Sequence, residues 1–171
     1  MSKSLKQCSS YQEWFFEDYQ KDNVIEMGPI YVEEDELIEF ALRYDPQPMH
    51  VNPEAAKTGP YKGLIASGWH TCALVMGELV KNYFFSCSSL GSPGIDKLQW
   101  LKPVRPGDML TVRATILETK LSRSKPDRGL VFTMVEVFNQ QKEKVVSFKV
   151  LNFMLRRKCS LDKTLKETAK F

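Results

Sequence analysis

Residues 68–83 read as a helix that is apolar on more than one side. Trp69, Cys72, Ala73, Met76, Leu79, Val80 and Tyr83 share one face at helical spacing, and Leu74 and Val75 carry apolar character to the opposite face. A helix of this kind has to be covered on both sides. Only the sequence that follows can do it. After the turn cluster Gly91-Ser92-Pro93-Gly94 come four stretches of strand character, at 95–101, 109–121, 130–138 and 145–155. In the second, Leu110, Val112, Ala114 and Ile116 alternate with Thr111, Arg113 and Thr115; in the third, Val131, Thr133, Val135 and Val137 alternate with larger apolar residues. Turn signals at 124–129 and 139–142 join neighbours as hairpins, so the pairing is expected to be antiparallel.

Strands of about ten residues or more, curved around one helix, give an α+β chain of the hot-dog architecture. The rest of the chain fits a single domain of 171 residues, 43% hydrophobic and 26% charged. Its expected parts are an N-terminal extension, 1–27, the domain itself, 28–157, and a charged tail, 158–171. Tyr11, Trp14, Phe15, Phe16 and Tyr19 make the extension aromatic enough to dock on the domain, beyond a loosely attached start at 1–10. Residues 30–32 suggest a short strand. From Glu33 the period becomes helical through Leu37, Phe40, Ala41 and Tyr44, until Pro46 stops it. Asn52-Pro53-Glu54 is a helix start, ended by Gly59-Pro60, which leaves His50 in a tight loop between two helix ends.

Several function classes lose support. The net charge of +3 is small and dispersed, which argues against nucleic acid as a partner. The four cysteines show no CxxC spacing, so neither a zinc knuckle nor a thioredoxin-like motif is indicated, and a reducing cytoplasm is the expected location. No run approaches the ~20 apolar residues of a membrane span, so no membrane association is expected. There is no GxSxG, P-loop or GxGxxG.

The chemistry concentrates in YDPQPMHVNPEAAKTGPYKGLIASGWH, which holds both histidines, His50 and His70. Asp45 precedes His50 by five positions in a loop stiffened by Pro46 and Pro48. A carboxylate and an imidazole close together can share a water or a substrate proton. At a helix carboxyl end the dipole disfavours the charge of Asp45, which points to a partly protonated acid. On spacing alone, a turn aspartate and a loop-capping histidine account for the same residues. A metal site lacks a third local ligand. His70 reads as a core or tunnel-lining histidine and Glu78 as a paired or solvated helix glutamate. Arg123, Lys125 and Arg128 ring a turn that could meet phosphates only if it lies near the site.

The stretch resembles the MaoC-like family of (R)-specific enoyl-CoA hydratases and acyl dehydratases, whose signature is Gly-Asp-x-Asn-Pro-x-His followed by His-Gly opening the central helix. Here the matching residues are Asp45, Pro48, His50 and Gly68, and the likeness continues through PVRPGD at 103–108. Tyr44 stands for the usual Gly, Gln47 for Asn and Ser67 for His, departures that touch the pocket wall and the hydrogen bonding more than the acid–base pair. The resemblance implies reversible hydration of a 2-enoyl thioester to an (R)-3-hydroxyacyl thioester, with Asp45 and His50 catalytic. It implies that Gly68, with Ser67 and Gln47, holds the substrate oxygen. Coenzyme A or an acyl carrier protein would be the carrier, with no separate cofactor, and the protein would be a homodimer or an assembly of dimers. Two other activities suit the fold: a hot-dog acyl-CoA thioesterase using Glu78 or Asp45, and a non-catalytic acyl-thioester-binding module.

Overall fold

The computed structural model describes residues 13–157. Five antiparallel strands form one sheet in the order β1-β3-β4-β5-β2, with β1 at Val24–Tyr31, β2 at Ile95–Trp100, β3 at Met109–Leu121, β4 at Arg128–Phe138 and β5 at Lys144–Leu155. Between β1 and β2 run α1 (Glu34–Tyr44), α2 (Pro48–Val51), α3 (Pro53–Thr58) and α4 (Gly68–Asn82). Among the described residues no helix is long and apolar enough to cross a membrane.

The hot-dog arrangement follows from the two periodicities. Period-2 alternation puts Val112, Ala114 and Ile116 of β3 and Val131, Val135 and Val137 of β4 on the same buried face. Against that face α4 lays Thr71, Val75 and Leu79, four residues apart and buried. Tyr83 anchors the far end of α4, fully buried, with its hydroxyl 2.7 Å from Thr133 Oγ1.

Three expectations need correction. The short strand expected at 30–32 is longer and starts earlier: β1 begins at Val24 and crosses the expected boundary at 27/28. Gly28-Pro29 reads as punctuation, yet pairing with β3 continues on either side of it through a register shift between Met27 and Ile30. β2 is shorter than the others, at six residues. Most important, the sheet covers only one face of α4. Trp69, Met76 and Val80 remain 59%, 40% and 54% exposed. The β-rich half was expected to wrap this helix on both sides; among the described residues it covers one.

The aromatic segment before β1 packs on the domain. Trp14 and Tyr83 each meet Tyr19 edge-on, the Tyr19 hydroxyl donates to Tyr83 O at 2.6 Å, and the Phe16 ring lies where a side chain on Gly129 would be. Tyr11, the start at 1–10 and the tail at 158–171 fall outside the described residues.

Candidate active site

The site is assembled where three short helical pieces meet the start of α4. α1 ends at Tyr44, and Asp45 is its C-cap, with its N–H donating to Ala41 O at 2.8 Å. Pro48 then opens α2, so His50 lies on a one-turn helix and not in the expected tight loop. Asn52 caps α3 by accepting from Ala55 N–H, and Pro53 starts it, as the sequence signals indicate. The chain returns through 61–66. There Ile65 N–H donates to Met49 O at 3.1 Å, Ala66 N–H donates to Val104 O at 2.8 Å, and the Arg105 guanidinium donates to Tyr61 O at 2.6 Å. Ser67 then caps α4.

This route brings Asp45, His50, Gln47 and Ser67 together. Asp45 Oδ2 accepts from Ser67 Oγ at 2.7 Å and lies 3.5 Å from His50 Nε2. Asp45 Oδ1 accepts from Gln47 Nε2 at 2.7 Å. The hydrogen bond from Gln47, then that from Ser67, holds the Asp45 carboxyl below the ordinary carboxylate range, and the nearby His50 adds to the effect. The partly protonated acid expected from the helix dipole is therefore wrong: two donors outweigh a helix end that can be screened by solvent. Gln47, one methylene longer than the Asn it replaces, still reaches the carboxylate. His50 is buried, and its Nδ1 lies 2.9 Å from Ile65 O. A carbonyl can only accept, so in the neutral ring Nδ1 carries the hydrogen and Nε2 presents its lone pair toward Asp45.

Asp45 and His50 face a cleft of about 420 Å³, whose walls include Gly68, Thr71, Tyr61, Trp100 and Lys102. As the first residue of α4, Gly68 has no carbonyl one turn back to bond its N–H, so the helix start offers a free donor beside the carboxylate–imidazole pair. Three of these wall residues escape sequence reasoning. Trp100 and Lys102 come from the far edge strand and the turn after it, and only the fold makes them neighbours of Asp45. Tyr61 sits in a segment whose one clear signal is the Gly-Pro turn.

Other candidates lie elsewhere. Tyr44 is 62% exposed, packs at a tilt against Phe40 and is absent from the cleft walls, so it does not form the pocket wall expected of it. His70 and Glu78 line a separate cavity between α1, α4 and β1, and Glu78 Oε1 accepts from Gly28 N–H and Asn82 Nδ2. Arg123, Lys125 and Arg128 are absent from the cleft walls, and Arg128 pairs with Asp127. Among the described residues no group of three or more His, Cys, Asp or Glu is placed to hold a metal ion.

The fold and the site together define a hot-dog domain with a buried imidazole and an oriented carboxylate at the mouth of its central helix. The chain belongs to the MaoC-like domain family, whose profile matches residues 17–142. The crystal structure of a MaoC-like dehydratase from Rhodospirillum rubrum superposes with a TM-score of 0.79 at 35% identity, covering 85% of this chain and 99% of that one. An uncharacterized protein of Bacillus subtilis, YdeM, is 27% identical over 129 residues, 75% of this chain and 90% of its own length. A mesaconyl-CoA hydratase of Cereibacter sphaeroides is 35% identical over 75 residues, 44% of this chain and 21% of that enzyme.

Proposed function

We propose that the protein reversibly hydrates a 2-enoyl thioester to an (R)-3-hydroxyacyl thioester. The observation that carries this reading is the fixed pair of acceptors: Asp45, held ionised by Gln47 and Ser67, and His50 Nε2, 3.5 Å away. A water lodged between them has both hydrogens engaged and its lone pair turned to the cleft. Its oxygen adds to C3 as one O–H bond breaks, and the pair receives the proton. Electron density passes through C2 to the thioester oxygen, where the Gly68 N–H stabilises the enolate-like charge. Collapse of that charge takes a proton at C2 from the pair. Neither group starts with a proton to spare on the water side, so the proton delivered to C2 is the one taken from the water. In this reading coenzyme A or an acyl carrier protein is the carrier, and no separate cofactor takes part.

The test is incubation with crotonyl-CoA. Loss of the conjugated absorbance without release of free thiol is the expected outcome. Release of free thiol would replace hydration by hydrolysis.

The uncovered face of α4 leads to a second part of the proposal. Trp69, Met76 and Val80 on α4 and Ile95 and Leu101 at the β2 edge expose large apolar area next to a strand with an unpaired side. A second copy of the chain pairing along β2 would cover both, and we propose a homodimer or an assembly of dimers. Light scattering should give a multiple of 19.7 kDa. Val80→Glu should shift the population toward monomer. A wild-type protein that stays monomeric at micromolar concentration would refute this part.

A further inference from the structure

Trp100 is the last residue of β2, and its indole lies across the start of α4. A Cβ added to Gly68 would meet the indole Cε2 and Nε1 at 2.5 Å. The ring thus occupies the space that the absent side chain leaves beside the Gly68 N–H. Strand periodicity explains its direction. Leu98, two residues earlier, packs against the core, so Trp100 points to the same, helix-facing side. Between Asp96 and Gln99 the register with β5 shifts, and Lys97 takes a positive φ of 54°. The bulge brings the end of β2 over the helix start. One more contact keeps the ring there: it meets Trp69 edge-on at 5.4 Å and 78°.

We infer that Trp100 competes with the acyl thioester for the groove at Gly68, so that the indole must leave before the substrate oxygen can reach the helix start. This rests on the hydration reading, which places the thioester oxygen at Gly68. Glycine at position 68 then has two roles: it leaves room for the substrate when the site is occupied and for the indole when it is not. The ring is well placed to move. It is 47% exposed and belongs to an edge strand, with only a half-shell of neighbours. Apparent affinity falls with the fraction of molecules whose groove is open. Trp100 is therefore a residue that sets KM, separate from the proton-transfer pair that sets kcat.

The experiment has two independent readouts, both made on the assembled protein as purified, because a partner pairing along β2 would lie beside the ring. The first is steady-state hydration of crotonyl-CoA by wild type, Trp100→Phe and Trp100→Ala. Trp100→Ala should lower KM by about fivefold or more, with kcat within about twofold, because the closed form is no longer populated. Trp100→Phe, a smaller ring, should fall between. A raised KM would make Trp100 a wall that holds the substrate, and an unchanged KM would make it a bystander; either overturns the inference. The second readout takes the emission of Trp100 as the difference between Trp14→Phe and Trp14→Phe/Trp100→Phe, so that Trp69 stays in place. Crotonyl-CoA should shift its emission to the red as the indole leaves Gly68 for water. A shift without hydration would keep the gate and refute the reaction. Hydration without a shift would keep the reaction and refute the gate.

Discussion

The described residues contain two histidine–carboxylate pairs of similar separation and different construction. His50 Nε2 lies 3.5 Å from Asp45, and His70 Nε2 lies 3.8 Å from Glu36. Both imidazoles are buried and both face a cavity of about 420 Å³. The first pair is fixed at every other atom: Nδ1 against Ile65 O, one carboxylate oxygen against Ser67, the other against Gln47. In the second pair neither ring nitrogen has a hydrogen-bond partner among the described residues, and the Glu36 carboxylate is 57% exposed. Phe40, 5.0 Å away, packs on the His70 ring as it would on any flat apolar group. Proximity of an imidazole and a carboxylate is thus common to both places. The surrounding donors and acceptors, which choose the tautomer and set the charge, occur at one.

The largest expected effect separates the pairs by rate. Asp45→Asn and His50→Gln should each lower crotonyl-CoA hydration by about 10²–10⁴-fold, the range of a positioned proton-transfer group. The double variant should lose far less than the product of the two, since the residues act as a unit. Glu36→Gln and His70→Gln should leave kcat within about twofold. Equal losses at the two pairs would erase the distinction drawn between them.

A smaller effect probes what orients the first pair. Ser67→Ala removes one of the two donors to Asp45, which should cost about tenfold in kcat, the scale of one hydrogen bond to a charged group. It should also let the Asp45 pKa rise, moving the acidic limb of the pH–rate profile to higher pH. A profile that stays in place would mean that Gln47 alone sets the charge.

The smallest effect belongs to the second pair and appears in stability. Burial pushes the His70 imidazole below its ordinary range, and Glu36 pulls back more weakly. The unfolded chain therefore takes up a proton below about pH 6.5 while the folded ring still resists it. His70 should contribute stability fully above that pH and lose it as pH falls toward the folded value. In urea melts between pH 7.5 and 5, His70→Leu should show a flatter dependence than wild type. Parallel curves would show that Glu36 compensates the burial.

Much of this was legible in the sequence, and the reasons differ by residue. The hairpins β3–β4–β5 follow from strict alternation and clear turns, which depend only on neighbours in the chain. Asp45 and His50 stand out through the resemblance of their motif to the MaoC-like signature, since on spacing alone a turn aspartate and a loop-capping histidine explain them. The charge state of Asp45 was not legible, because one of its two donors, Ser67, arrives from 22 positions away. Nor was the position of Trp100: a tryptophan ending a strand looks like any aromatic until the fold places its ring over Gly68. The uncovered face of α4 escaped for a related reason. Hydrophobic periodicity marks a face as apolar and is silent on what lies against it.

Ser67 ties the chemistry to the first turn of α4. Its oxygen accepts from Trp69 N–H at 3.3 Å while its hydroxyl hydrogen goes to Asp45. Fraying of the helix end and misalignment of the acid are then one event, not two. The free energy of that local opening, readable from amide hydrogen exchange at Trp69, sets the share of molecules poised for turnover at any temperature. Heating should consequently silence the protein well before the sheet melts, and a stronger cap at the start of α4 should widen the working range without touching the cleft.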